Sequence, residues 1–202
     1  MSQPHSPAPT HRPSLPRRLV RHYWRYVVLS ALLFVVGIAV GVVLVDLIPL
    51  DTLFGQQGFE GAFPNELTVG VLVANNALVV VLLVASSLTL GLGAIIILVY
   101  NGVIVGYVGT IVAQNAGLAV LLVGLTPHGI VEIPAFLFAS AVALRFSHQV
   151  LGAATGRRED VMTSPELREA IVMSVLALAL IPVAAYIEAN ITTQLLESFT
   201  SR

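Results

Sequence analysis

The stretch that decides the fold is LTVGVLVANNALVVVLLVASSLTLGLGAIIILVYNGVIVGYVGTI, residues 67–111. A single helix of about 45 residues would be about 68 Å long at 1.5 Å per residue, whereas the hydrocarbon core of a bilayer is about 30 Å thick. The stretch therefore predicts two membrane spans. The segment SSLTLGLG, residues 86–93, is the best place for the turn between them, because glycine and serine favour turns.

The composition of the whole chain agrees with a membrane protein. Its 202 residues are 56% hydrophobic and 10% charged, with a mean hydropathy of +0.90, whereas soluble domains carry about 25% charged residues. The lipid bilayer is therefore an expected partner, and nothing indicates a nucleic acid. The absence of cysteine excludes disulfides and thiolate chemistry.

The fold class that we expect is all-α, a polytopic transmembrane bundle of about five spans. These lie at about residues 26–50, 67–86, 92–112, 129–148 and 168–191. The segment AQNAGLAVLLVGLT before span four is too short and too glycine-broken to cross, so we expect a short re-entrant or interfacial helix there. Residues 1–22, rich in proline and arginine, are expected to be a disordered cytoplasmic tail, which leaves 23–202 as one transmembrane domain.

Arginine placement predicts the orientation. Arginines cluster before span one and between spans four and five, whereas the loops around 51–66 and 112–127 have none. With five spans, the two basic segments lie on the same side, and the positive-inside rule assigns that side to the cytoplasm. The amino terminus is then cytoplasmic and the carboxyl terminus extracytoplasmic, at the cell membrane.

Polar residues within the spans fall at the midplane or on the expected outer side, whereas the inner halves are nearly all aliphatic. Polar groups in hydrocarbon are costly, so each needs a reason. The asymmetry predicts a polar cluster, or a cavity open to the exterior, formed by spans two to five. Its candidate residues, for a ligand or a partner, are Asn75, Asn76, Asn101, His128, Glu132 and Glu188.

Each candidate also has a plainer interpretation. An asparagine in a span more often forms an interhelical hydrogen bond, worth about 0.6 kcal/mol, than binds a ligand. His128 and Glu132 would stand one turn apart on one helix face, where a site and simple packing are equally compatible. They offer two metal ligands and a catalytic zinc usually needs three. Glu188 could supply the third, but nothing in the sequence demands it, so no metal or cofactor is expected.

Glycine and proline predict helix packing and bends. Gly37 with Gly41, and Gly102 with Gly106, form two G-x-x-x-G motifs that let helix backbones approach closely. A proline suits the first turn of span four at position 127, and prolines inside spans four and five, at 134 and 182, are expected to bend those helices.

Common catalytic motifs are absent. The sequence contains no G-x-x-x-x-G-K-[ST], no G-x-S-x-G and no H-E-x-x-H. We therefore expect no catalytic residue and no enzyme activity.

Four segments together resemble the stage II sporulation protein M family over about residues 67–191. They are NNALVVVLLV from 75, YNGVIVGYV from 100, TPHGIVEIPA from 126 and AAYIEANIT from 184. The Pro-His-Gly segment is the most specific, and Thr126 stands where the family pattern has leucine. The resemblance implies a membrane anchor or scaffold that works with cell-wall hydrolases in spore-forming bacteria, in a family that also occurs in organisms that never sporulate.

Three functions remain open at this point. The leading interpretation is a non-enzymatic scaffold that recruits a membrane or extracytoplasmic partner, with a homo-oligomer also compatible. The alternative is a small transporter or permease subunit that uses the polar cluster, against which the aliphatic inner halves of the spans count. The minor alternative is an intramembrane metallohydrolase.

Overall fold

The computed structural model describes residues 14–49, 52 and 68–200, and within these ranges every regular element is a helix. The main helices are α1 (Leu15–Leu44), α2 (Val69–Ala85), α3 (Leu92–Ala116), α4 (Leu118–Ala154) and α5 (Ser164–Tyr186). A π-helical segment, Ile187–Thr192, and the short α6, Thr193–Thr200, continue α5. Five of the described helical regions are long and apolar enough to cross a membrane. The predicted five-span, all-α bundle is confirmed.

The turn inside the opening stretch lies where glycine and serine predict it. α2 ends in a 3-10 turn, Ser86–Thr89. Leu90 and Gly91 then adopt positive φ angles of 52° and 77°, which reverse the chain into α3. Glycine is favoured at 91 because this left-handed conformation strains other residues.

The expected disorder of residues 1–22 is wrong for residues 15–22, which form the first turns of α1. Two contacts explain the order: Leu19 packs against a buried cluster, and Arg18 donates hydrogen bonds to Glu169 of α5. Residues 1–13 lie outside the described residues. α1 also ends earlier than expected, at Leu44.

The expectation of a separate short helix before span four is also wrong. α3 ends at Gly117, with a φ of 94°, and Leu118 begins one continuous helix of 37 residues. That helix is about 56 Å long, longer than a bilayer core. Its first turns are packed, because Leu121 lies against Gly109 of α3 and Leu196 of α6 lies against Gly124. Pro127 is consequently inside the helix and not in its first turn.

The four motif glycines join α1 to α3. A Cβ atom added at Gly37 or Gly41 would collide with the backbone of α3, and one added at Gly102 or Gly106 would collide with the backbone of α1. The two G-x-x-x-G motifs therefore face one another and permit direct backbone contact, as the packing interpretation predicts.

One apolar core draws on all five long helices. Alanines at its centre let the helices approach closely. Its fully or nearly fully buried members are Phe34, Val80, Leu83, Ala94, Leu98, Ala135, Phe136, Ala139, Ala143, Ala177 and Ile181. Two polar regions lie on either side of this core. We call the end at which α3 joins α4 the site end, and the end at which α4 joins α5 the arginine end.

Candidate functional site

α4 provides two of the candidate side chains. His128 and Glu132 lie one turn apart within this helix, toward the site end. The i, i+4 spacing places both on one helix face.

The π-helical segment provides a third candidate, Glu188. Single π-helical turns are rare, and they occur often at functional sites. The segment follows Pro182, which removes one backbone donor from α5. One ligand atom from each of His128, Glu132 and Glu188 lies within 4.8 Å of those of the other two.

The three asparagines surround the same space. A cavity of about 320 Å³ lies between the helices and is lined by all six candidate residues. Phe34 and Phe136 contribute apolar wall. The structure thus brings together every residue that the sequence nominated, and α1 joins the expected spans two to five through Phe34.

Hydrogen bonds of the asparagines stay within their own helices. The Asn75 side chain donates to Asn76 Oδ1 at 3.3 Å, and the Asn101 side chain donates to the Ile97 carbonyl at 2.8 Å. Within the described ranges, none of the three makes a side-chain hydrogen bond to another helix. Such asparagines commonly form interhelical hydrogen bonds, but these three form none among the described residues.

The cavity contains polar groups without partners. Nδ1 of His128 is buried and has no hydrogen-bond partner among the described residues. Over the same residues, the carboxylates of Glu132 and Glu188 make no hydrogen bond or ion pair. Buried polar groups are normally satisfied, so an exception needs an explanation. The arrangement suits a hydrogen-bond donor or a cation.

The bundle contains a second buried polar region that the sequence analysis did not nominate. At the arginine end, the fully buried Glu169 accepts hydrogen bonds from Arg18, His22 and Arg145 at 2.8–2.9 Å. The Arg145 guanidinium also lies 4.5 Å from the centre of the Tyr23 ring. These contacts join α1, α4 and α5 in one polar network, which we call the Glu169 network.

A second carboxylate extends this polar end. Arg158 donates to both oxygens of Glu166 at 2.8 and 2.9 Å, and the same glutamate completes a capping box with Thr163 at the start of α5. Beside these groups lies a cavity of about 500 Å³, lined by Arg21 and Arg25 among others.

One signal could have revealed the Glu169 network. Glu166 and Glu169 stand three residues apart at the start of span five, which places them on one helix face. Arg145 lies at the end of span four that meets them. Sequence reasoning counted Arg145 with the basic segment between spans four and five, because a charge near a span boundary normally reaches water, and it did not consider the two glutamates.

Comparison with known proteins places the chain among membrane proteins of one family. The family described as Stage II sporulation protein M matches residues 30–193. An uncharacterised protein of Methanocaldococcus jannaschii is 27% identical over 171 residues, which cover 84% of this chain and 94% of that protein. No solved structure matches.

Proposed function

Since this chain belongs to the stage II sporulation protein M family, we propose that it is a non-enzymatic membrane scaffold. In this proposal it recruits a membrane or extracytoplasmic protein at the site end of the bundle. The family is not known as an enzyme family. The arginine-free loop 51–66, which we propose as a further contact region for the partner, lies outside the described residues except for Thr52.

The observation that carries the proposal is the polar cavity between α2, α3, α4 and the π-helical segment. Among the described residues, its asparagine amides and glutamate carboxylates make no side-chain hydrogen bond to another helix. Keeping such groups unsatisfied lowers stability, and natural proteins retain that cost mainly where a function needs it. A partner whose polar group enters the cavity would satisfy them.

Photo-crosslinking in native membranes tests recruitment. A photoreactive residue at Thr126, exposed beside the cavity, is expected to give one adduct of defined mass. The matched control places the same photoreactive residue at position 159, in place of Glu159 in the loop at the arginine end. Glu132→Gln is expected to weaken the adduct from position 126. No adduct from position 126, or an adduct that Glu132→Gln leaves unchanged, would argue against recruitment through this site.

The proposed orientation follows from charge. The arginine end would face the cytoplasm, the site end the exterior, and the carboxyl terminus would then be extracytoplasmic. The positive-inside rule supports this assignment. So does the second cavity, whose arginines would meet the anionic cytoplasmic leaflet.

Transport is the second candidate function, because the polar cavity could receive a small solute. The fully buried Leu83, Leu98 and Ala139 belong to the apolar core between this cavity and the Glu169 network. A transporter would have to open that core. Solute or proton flux into liposomes that is lost with Glu132→Gln would replace the scaffold proposal, whereas flux equal to that of empty liposomes would remove transport.

A further inference from the structure

We propose that His128, Glu132 and Glu188 bind one divalent cation, with Zn²⁺ the best match to the ligands. This site goes beyond recruitment, because it requires no partner protein. The cavity would then hold a bound ion whose ligands come from both α4 and the π-helical segment.

Distances support a shared ion. The three ligand atoms lie within 4.8 Å of one another, whereas ligands bound to one tetrahedral zinc at about 2.0–2.1 Å stand about 3.3 Å apart. Each pair therefore needs to close by at most about 1.5 Å, which side-chain rotation supplies. The ligands also come from two elements, so binding would hold α4 to the end of α5.

Charge supports the same conclusion. The two carboxylates are close together and have no cationic partner among the residues that the structure describes. If both carboxylates are ionised in this apolar environment, they repel one another and each loses its hydration. A divalent cation would balance both charges at once.

The ligand types favour zinc. One imidazole nitrogen with two carboxylate oxygens suits Zn²⁺ and related transition metals, whereas Mg²⁺ and Ca²⁺ prefer oxygen alone. The buried Nδ1 of His128 has no hydrogen-bond partner among the described residues, so this nitrogen is free to bind an ion. Three protein ligands leave a fourth coordination position open.

Metal analysis of the purified protein tests the site. Full-length protein without a polyhistidine tag, extracted in detergent, is stripped with a chelator and titrated with Zn²⁺. We expect about one bound Zn²⁺ per chain and a higher unfolding temperature when zinc is present. Glu132→Gln and Glu188→Gln, on different elements, are each expected to weaken binding at least tenfold.

His148→Asn is the matched control, because it removes an exposed histidine at the arginine end and should leave zinc binding unchanged. The proposal is overturned if folded wild-type protein shows no saturable binding. It is equally overturned if both glutamine variants fold and bind as wild type does. Zinc binding without a crosslinked adduct at position 126 would support the metal site and reject recruitment. An adduct at position 126 without zinc binding would support recruitment and reject the metal site.

Discussion

Two buried regions of this bundle contain glutamates in opposite surroundings. Glu169 is fully buried and accepts hydrogen bonds from two arginines and a histidine. Glu132 lines a cavity and has no such partner within the described part of the chain. The first carboxylate has the environment of a structural ion pair. The carboxylate of Glu132 has the unpaired environment expected of a group that binds a ligand.

The structural glutamate gives the first prediction. Glu169→Gln removes the negative charge and leaves the buried Arg145 with only the longer ion pair to Glu166, at 3.6 Å, so we expect stability to fall by about 3 kcal/mol. Thermal unfolding in detergent measures the change. Glu159→Gln, in the exposed loop, is the control and should unfold as wild type does. Equal unfolding of both variants would show that the Glu169 network contributes little.

At the scale of elements, α1 and α3 pack with their backbones in direct contact. Gly102→Ala places a methyl group against the backbone of α1 at Phe34, which cannot move aside as a side-chain end can. We expect a loss of about 1–3 kcal/mol, typical of overpacking.

Gly70→Ala provides the comparison for that glycine. The nearest atom to its added Cβ is Thr68 Oγ1 at 4.0 Å, so the methyl group meets open space. Alanine favours a helix over glycine by about 0.5–1 kcal/mol, and this variant should be as stable as wild type or slightly more so. If the detergent-denaturation curves of Gly102→Ala and Gly70→Ala coincide, the close α1–α3 contact is contradicted.

The elements differ in how far sequence predicts them. The spans follow from length and hydropathy, and the turn at Leu90 and Gly91 from local residue preference. The π-helical segment cannot be predicted from the sequence, because nothing in its local residues distinguishes it from the end of α5. The unbroken start of α4 depends on tertiary contacts with the preceding α3 and with α6, and α6 is distant in sequence.

The candidate site was predictable for a related reason. Polar residues in a hydrocarbon environment stand out, and the predicted topology placed all six at the midplane or toward one end of the bundle. The structure was needed to show that these residues line one cavity and that Glu188 lies in a π-helical segment. The Glu169 network escaped prediction because Arg145 lies at a span boundary, where an arginine is usually solvated.

At the scale of the whole molecule, orientation is open to direct measurement. The chain contains no cysteine, so a single introduced cysteine reports its own side of the membrane. With a membrane-impermeant maleimide on intact cells, Gln114→Cys at the site end should be labelled, and Glu159→Cys only after lysis. The opposite pattern would invert the proposed topology and place the cavity toward the cytoplasm.

In our proposal, the polar cavity is a binding site and does not hold the bundle together. The unfolding temperature of Glu132→Leu, measured against wild type in detergent with a chelator present, tests it most directly. A site without its ligand should gain stability when it loses an unsatisfied carboxylate, so we expect the unfolding temperature to rise by about 2–4 °C, for roughly 1 kcal/mol. A fall of several degrees would mean that Glu132 stabilises the helices, and would contradict the claim.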